Sequence, residues 1–247
     1  MNDLALPPLK NRAGLLESAL FKLYTRSARV LEIEDVGDAF RIVTLGGEAL
    51  RGAGWSPGDK IQIQLGGWTQ RTYTPMGWDA DGGRTRILAY LFAGGPGAQW
   101  ARAVRNGDDC IVFGPRKSVR LAQRPSAVIV FGDETSLGLA AALADQSDPP
   151  AVLGLFEVSR PADTAPVIER LELHGTTLCT RLENDGHFNE LEAHMAALLR
   201  AHPEADVVLT GRAAAIQHMG KVLKRENVAA GRRQSKAYWA PGKTGLD

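Results

Sequence analysis

The sequence predicts two domains, an antiparallel six-stranded β-barrel followed by a doubly wound α/β domain, and three observations support this fold class. The 247 residues suffice for two modest domains that each bury a core. Short alternating strands with Gly and Pro turns follow one another through the first half. From residue 127 onward, continuous apolar runs alternate with helical patterns. We therefore divide the chain into domains 1–122 and 123–247.

The first domain is predicted to begin with a helix and to continue as strands. Leucines spaced for one helix face predict an amphipathic helix at residues 15–24. Alternating patterns predict strands at residues 30–33, 40–45, 60–65 and 86–92, with another around Arg71. The strand at 60–65 is the clearest, because its period of two places Ile61, Ile63 and Leu65 on one buried face.

The second domain is predicted from a repeated strand and helix pattern. Residues 127–131 form an apolar run typical of a buried parallel strand, and a helix is predicted to start near Glu134. Further strands are predicted at 152–158, 177–182 and 207–210, and helices at 166–171, 188–200 and 213–224. Ligands of such sheets collect at the carboxyl ends of the strands, so the loops after these strands are candidate sites.

Composition and charge exclude several classes of function. The net charge is +1, with a mildly basic first half and a mildly acidic second half. This asymmetry is too small to indicate a nucleic-acid partner, but it favours an anionic ligand in the first half. Cys110 and Cys179 are the only cysteines, so the chain forms no disulfide framework and no four-thiolate iron–sulfur or zinc site. Any electron transfer therefore uses another cofactor.

Neither membrane insertion nor a resident metal is predicted. The first ten residues have no long apolar core, and no apolar run reaches the ~18 residues of a spanning helix. We therefore expect a cytoplasmic, soluble protein. A monomer is the expected oligomeric state, although no sequence feature bears on it. His187 and His194 lie seven residues apart on a predicted helix, which favours a solvated or capping role over a zinc site. His218 has Ile216 and Met219 nearby on a helix face and is expected to be structural.

The segment Arg71-Thr72-Tyr73-Thr74-Pro75 is the first candidate ligand site. In an extended strand, Arg71, Tyr73 and Pro75 share one face, and the two threonines share the other. A cation, a stacking aromatic ring and a short hydroxyl are the groups that a flavin nucleotide requires. The alternative is an ordinary strand with an exposed Arg and an interior Tyr.

A glycine-rich turn, Gly94-Gly95-Pro96-Gly97-Ala98-Gln99-Trp100, lies between the strand at 86–92 and a helix predicted at 101–104. Amide hydrogens at a helix start, with glycines that permit close approach, bind phosphate without a cationic side chain. Arg71 and this turn are placed to hold the two phosphates of a dinucleotide from opposite sides. The alternative is a plain turn before a helix.

The second candidate site follows the first apolar strand, at Gly132-Asp133-Glu134-Thr135-Ser136-Leu137-Gly138. It lacks the Gly-x-Gly-x-x-Gly fingerprint of dehydrogenases and is not a nucleophile elbow. The hydroxyls of Thr135 and Ser136 and the helix amides suit a more loosely held nucleotide.

The next predicted strand ends in Ser159-Arg160, a hydroxyl and a cation that suit a 2′-phosphate and favour NADPH over NADH. Glu157 lies close enough to complicate this interpretation, and an exposed loop arginine is the alternative.

The C-terminal segment carries two aromatic residues, Tyr238 and Trp239, before a turn. Either they belong to a last strand that closes the core, or one of them shields a flavin face or guides the nicotinamide. Gly242-Lys243-Thr244 is similar to the end of a P-loop, but Ala237 stands where the first Gly of that motif belongs.

Taken in order, five segments of the chain resemble the siderophore-interacting protein family, flavin-dependent ferric-siderophore reductases related to ferredoxin–NADP reductase. The segments are Arg71-Thr72-Tyr73-Thr74, Gly95-Pro96-Gly97 with Trp100, Gly114-Pro115-Arg116, Gly132-Asp133-Glu134-Thr135 and Tyr238-Trp239. The resemblance implies a FAD-binding barrel of the ferredoxin reductase type and an NAD(P)H-binding domain.

The resemblance also implies residue roles. Thr74 is expected to hydrogen-bond near the flavin N5, Tyr73 to stack on the ring and Arg71 to neutralise the pyrophosphate. The expected cofactor-binding set is Arg71, Thr72, Tyr73, Thr74, Tyr90, Phe92, Gly95, Gly97, Ala98, Trp100, Asp133, Glu134, Thr135, Ser136, Ser159, Arg160, Tyr238 and Trp239. The expected cofactors are FAD and NADPH, and NADH is the alternative to NADPH. From charge placement, Arg116, Lys117 and Arg120 are candidates to attract an anionic ferric chelate, with ordinary surface cations as the alternative.

The chain departs from the family pattern at three positions. Phe92 stands where members often carry His, Met76 where they carry Arg two places after the second Thr, and Ala240 where they carry Arg after Tyr-Trp. These changes are expected to weaken a phosphate contact or to alter what binds near the flavin. Two other functions stay open: a ferric-siderophore binding or delivery protein without catalysis, and a flavin reductase with another acceptor.

Overall fold

The computed structural model describes residues 25–66, 69–121, 125–146 and 149–243. The predicted helix at residues 15–24 lies outside the described residues. Two sheets organise the chain, an antiparallel sheet in the first half and a parallel sheet in the second. The predicted division into an antiparallel and an α/β part is therefore confirmed. The predicted boundary at 122/123 falls in the connection between the two sheets, and the division into domains stays a prediction.

The antiparallel sheet has seven strands. They are β1 (Thr25–Val36), β2 (Phe40–Gly46), β3 (Lys60–Gly66), β4 (Thr69–Tyr73), β5 (Pro75–Asp79), β6 (Arg84–Tyr90) and β7 (Asp109–Arg116), in the order β4-β3-β7-β1-β2-β6-β5. Our prediction of six strands is not confirmed, because Thr74 interrupts one extended run and divides it into β4 and β5. These two strands form the opposite edges of the sheet, so the sheet curves until its edges meet at Thr74.

The parallel sheet has five strands. They are β8 (Ala127–Gly132), β9 (Ala151–Val158), β10 (Thr176–Thr180), β11 (Asp206–Arg212) and β12 (Arg233–Trp239), in the order β10-β9-β8-β11-β12. Every residue of β8 is buried, as its continuous apolar run predicts. The C-terminal aromatic segment forms edge strand β12, so the interpretation as a last strand is correct for its backbone.

Within the described residues, five α-helices connect the strands. They are α1 (Pro96–Ala103), α2 (Leu137–Ala144), α3 (Pro161–Arg170), α4 (Phe188–Ala201) and α5 (Ala213–Arg225). Two predicted starts were too late. Helix α1 begins inside the glycine turn at Pro96, and α3 begins at Pro161 rather than Pro166. In both cases a proline occupies the first turn, where its missing N–H leaves no hydrogen bond unmade.

Apolar clusters cover both faces of the parallel sheet. On one face α4 and α5 pack against β8, β9 and β11. On the other face α2 and α3 share a continuous core with residues of the antiparallel sheet, including Phe40 and Met76. The two sheets are therefore joined by buried apolar surface. None of the described helices has the length and apolarity that spanning a membrane requires.

Candidate functional site

Arg71 and Tyr73 lie beside the start of α1. A Cβ atom added to Gly97 would meet Arg71 Cγ and Tyr73 Oη at 3.2 Å each, so only glycine permits this approach without displacement. The Tyr73 hydroxyl donates to the Gly97 carbonyl at 3.4 Å, and its ring lies 5.9 Å from that of Trp100. Burial raises the pKa of Tyr73, which keeps this donor protonated. The structure therefore brings together the strand and the glycine turn that the sequence singled out.

The start of α1 fits a phosphate group. No side chain caps this helix, and Cβ atoms added to Gly94 or Gly95 would meet no atom within 4 Å. Pro96 contributes no N–H, which leaves the amides of Gly97 and Ala98 as the first helix donors. Arg71 lies next to them rather than across from them. The uncapped amides, the open space and the adjacent Arg71 side chain, whose Nη1 donates to the Gln70 carbonyl, suit the pyrophosphate of FAD.

Thr74 connects the two halves of the candidate site. A Cβ on Gly138, in the first turn of α2, would lie 3.4 Å from the Thr74 carbonyl oxygen. The first turn of α2 therefore packs against the break between β4 and β5. The predicted flavin strand and the predicted nucleotide segment are in contact at this point.

The Gly132–Gly138 segment forms its own cap. Asp133 is fully buried and accepts hydrogen bonds from the Thr135 N–H at 2.9 Å and the Thr135 hydroxyl at 2.5 Å. The Ser136 hydroxyl, also fully buried, accepts from the Asp133 N–H. We expected both hydroxyls to be available to a nucleotide. In this structure both hydroxyls form hydrogen bonds with Asp133, and of the two residues only Thr135 is exposed.

Asp133 also holds the C-terminal aromatic segment. Trp239 Nε1 donates to Asp133 Oδ2 at 2.7 Å. Burial raises the pKa of Asp133 to about 6, although its hydrogen bonds from Thr135 and Trp239 oppose the rise. This bond ties β12 to the end of β8 across the face where the nucleotide is predicted.

The raised pKa of Asp133 makes stability depend on pH. Between its unfolded pKa near 3.9 and about 6, the folded protein binds the proton and the unfolded chain does not, so stability falls as pH rises. A pKa difference of about 2 corresponds to about 3 kcal/mol. Urea unfolding of wild type and Asp133→Asn between pH 4 and pH 7 tests this. The variant should gain stability relative to wild type as pH increases; a constant difference contradicts the assignment.

A second network at the strand ends centres on Glu134 and Arg181. Glu134, 4% exposed, accepts from Arg181 Nη2 at 2.7 and 2.8 Å and from the Ser159 N–H at 2.6 Å. Arg181 also donates to the Ser159 hydroxyl and lies 5.8 Å from the centroid of the Trp239 ring. Sequence reasoning missed Arg181, because the predicted strand at 177–182 included it. The strand ends at Thr180, which places Arg181 in the loop where ligands of parallel sheets collect.

Tyr90 and Phe92 extend this network to the antiparallel domain. Burial raises the pKa of Tyr90, and a hydrogen bond with Ser159 partly offsets the rise. Phe92 is 49% exposed, and its ring centroid lies 5.0 Å from Arg160 Cζ. Arg160 pairs with Asp163 at 2.5 Å. Both residues predicted for the 2′-phosphate therefore lie where the two domains meet.

Glu157 faces away from this site. It is fully buried and accepts from Arg212 at 2.7 and 2.8 Å and from His187 Nε2 at 2.6 Å. His187 Nδ1 accepts from the Leu182 N–H, so Nε2 carries the proton. Arg212 also pairs with Asp185. We expected a solvated or capping role for His187. It stands at the N-cap position of α4, but it is buried and its side chain bonds to Glu157 and Leu182 rather than to the helix amides.

Comparison with known protein families finds one match, in the first half of the chain. Residues 66–119 match the family described as the siderophore-interacting FAD-binding domain. The resemblance to siderophore-interacting proteins is confirmed. The match covers both Arg71 and the start of α1, the two groups placed here at a pyrophosphate. A search of curated proteins finds no significant match.

Solved structures share the fold over most of the chain. A siderophore utilization protein from T. fusca is 21% identical, with a TM-score of 0.70 over 90% of this chain and 95% of its own. The siderophore-interacting protein SipS from Aeromonas hydrophila has the same identity and TM-score, over 90% and 93%. Phthalate dioxygenase reductase is 13% identical, with a TM-score of 0.73 over 90% and 70%. The family match and this ferredoxin reductase-like fold support a flavin-dependent oxidoreductase.

The surroundings of Met76 differ from those that we predicted. Met76 is 2% exposed and lies within van der Waals distance of Gly138 in the core shared by the two domains. A residue there fills the domain interface and does not lie beside the α1 amides. The departure from Arg therefore affects domain packing.

The three predicted substrate cations have different surroundings. Arg116 and Lys117 are exposed, and Arg116 donates to Gln62. Arg120 instead pairs with the buried Asp59, and its N–H donates to Gln234 of β12 at 2.9 Å. Because Asp59 neutralises it, Arg120 is a structural link between the domains. Arg116 and Lys117 are the better candidates for an anionic ligand.

Proposed function

We propose that the protein is a FAD-dependent NAD(P)H oxidoreductase that reduces ferric siderophores and releases Fe(II), acting as a cytoplasmic monomer. The contact between Thr74 and Gly138 carries the proposal, because it joins the flavin strand to the first helix of the nucleotide domain. An electron donor and an acceptor held on the two sides of this contact would lie within reach of each other. The family match at residues 66–119 supports FAD as the group between them.

The chain's own residues bind and orient the reactants. Arg71 and the amides of Gly97 and Ala98 hold the pyrophosphate, and Tyr73 fixes the first turn of α1 through the Gly97 carbonyl. Thr74, half-buried at the break between β4 and β5, is the residue that we assign to a hydrogen bond near the flavin N5. Bound FAD would accept a hydride from NAD(P)H and pass on single electrons.

The substrate is proposed to be a ferric chelate with hard oxygen ligands. One hydride carries two electrons, so two Fe(III) ions are reduced to Fe(II) for each nicotinamide oxidised. Such ligands hold Fe(II) less tightly than Fe(III), which releases the metal. Arg116 and Lys117 supply exposed positive charge that attracts an anionic chelate.

Spectroscopy of the purified protein separates the three functions. A yellow protein that releases FAD on denaturation, is bleached anaerobically by NADPH or NADH, and then reduces a ferric siderophore with a ferrous trap present supports the proposal. Bleaching without Fe(II) formation indicates a flavin reductase with another acceptor. A protein that binds the ferric siderophore but contains no FAD is a binding or delivery protein.

Arg160 is predicted to select NADPH. Loss of a charged hydrogen-bonding group costs about 1.5–3 kcal/mol, so Arg160→Ala should raise the KM for NADPH at least about tenfold and leave that for NADH nearly unchanged. Asp163→Asn removes the competing carboxylate and should lower the KM for NADPH. Steady-state kinetics with both nucleotides measures this. Equal effects of Arg160→Ala on the two KM values would refute the 2′-phosphate role.

A further inference from the structure

A cluster of three possible metal ligands lies on the face of the parallel sheet opposite the shared domain core. Cys179 of β10 and Glu190 and His194 of α4 bring a sulfur, a carboxylate oxygen and an imidazole nitrogen to within 4.8 Å of one another. His194 Nε2 and Glu190 Oε1 are 3.8 Å apart. Glu190 and His194 are four residues apart and therefore share one helix face. The cluster is separate from the candidate flavin and nucleotide site.

The distances are close to those of a coordinated ion. Zinc binds sulfur at about 2.3 Å and nitrogen or oxygen at about 2.0–2.2 Å, so tetrahedral ligand atoms lie roughly 3.3–3.8 Å apart. The observed separations, 4.8 Å or less, need to shrink by about 1.5 Å at most. The side chains of Glu190 and His194 are 56% and 44% exposed, so solvent leaves space for them to move toward an ion.

The chemistry of the donors selects one class of metal. Thiolate and imidazole ligands favour borderline-soft divalent ions over Mg²⁺ and Ca²⁺, which prefer all-oxygen sites. Cys179 is buried with Leu191 and Met195 beneath α4, so the sulfur comes from the protein interior and the other two ligands come from its surface. The exposed side leaves a coordination position for water.

We propose that Cys179, Glu190 and His194 bind one Zn²⁺ ion, with water as the fourth ligand. Binding replaces the thiol proton of Cys179 with the metal and releases that proton to solvent. The ion would fasten β10, the edge strand of the parallel sheet, to α4. Our sequence prediction of no metal site considered only the His187 and His194 pair and four-thiolate sites.

The alternative without a metal is that the Cys179 thiol donates a hydrogen bond to the Glu190 carboxylate. Burial raises the pKa of Cys179 to about 12, with Glu190 adding to the rise, so without metal the sulfur stays protonated. Metal titration distinguishes the two, because a simple hydrogen bond gives no stoichiometric binding.

The test is titration of the tag-free, metal-stripped protein with Co²⁺, followed by displacement with Zn²⁺. We expect one equivalent to bind, with a thiolate-to-cobalt charge-transfer band that Zn²⁺ abolishes and Mg²⁺ does not. Cys179→Ser should remove the band, and Glu190→Gln and His194→Gln should weaken binding at least about tenfold. Cys110→Ser, which changes the other buried cysteine, is the matched control and should behave as wild type.

Two results overturn the proposal: no band in wild type, or a band that persists in Cys179→Ser. Circular dichroism checks that each variant folds. If Cys179→Ser does not fold, the variants Glu190→Gln and His194→Gln decide. Zn²⁺ should then raise the melting temperature of wild type and not that of His194→Gln, and equal shifts in both reject the site.

Discussion

Arg71→Ala should release FAD from the protein. The stem of the Arg71 side chain packs beside Gly97 at the uncapped start of α1. Its guanidinium, which donates to the Gln70 carbonyl, is the side-chain cation that we place at the pyrophosphate. A charged hydrogen bond contributes about 1.5–3 kcal/mol, so the dissociation constant for FAD should rise between about tenfold and a hundredfold. FAD content after gel filtration and titration of the apoprotein by flavin fluorescence measure the effect.

Two matched variants make this result specific. Tyr73→Phe keeps the ring and removes only the donor to the Gly97 carbonyl, so it should weaken FAD binding less than Arg71→Ala does. Arg84→Ala removes an exposed arginine of the same domain and should leave FAD binding unchanged. If Arg71→Ala and Arg84→Ala retain FAD equally, the pyrophosphate does not lie against Arg71.

Glu157→Gln should destabilise the parallel-sheet domain more than any surface charge change. The carboxylate is fully buried between Arg212 and His187, and removing it leaves the guanidinium with Asp185 as its remaining carboxylate partner. Breaking a buried pair in this way costs about 3–5 kcal/mol, and the Asp185 contact places the expected loss near 3 kcal/mol. Urea unfolding at pH 7 gives the free energy directly.

A double variant separates the contribution of the Glu157–Arg212 ion pair from the cost of leaving one of its charges buried and unpaired. Glu157→Gln combined with Arg212→Met removes both charges and should recover part of the lost stability. Asp109→Asn breaks the exposed Arg29–Asp109 pair and should change the unfolding free energy far less. If Asp109→Asn and Glu157→Gln destabilise equally, the buried network does not have the role assigned to it.

Local patterns predicted the elements well where one physical rule dominates. The apolar run of β8 and the alternation of β3 are unambiguous, because burial on two faces or on one face leaves a distinct period. Helix starts were harder to predict where the sequence has prolines nearby. Pro96 and Pro161 both fit a first turn, but so did later residues, and packing decided between them.

The candidate site was found in part because its residues form contiguous segments. Arg71 and Gly97 each stand out in the sequence, but their contact forms only in the tertiary structure. Arg181 has no local signature, since its position depends on where β10 ends. Ser136 carries a hydroxyl suited to a nucleotide, but whether that hydroxyl faces solvent or caps its own turn is set by the backbone around Asp133.

The sequence by itself determined the two kinds of sheet and the glycine turn after the Arg71 strand, and it predicted a flavin site at Arg71 to Thr74, because periodicity and turn chemistry are local properties. Only the tertiary structure decided which of these groups meet. Gly138 against Thr74, Trp239 on Asp133, and Cys179 beside His194 each join residues that are distant in the chain. Such contacts depend on how the curved sheet and the parallel sheet pack on their shared core, which no local pattern encodes.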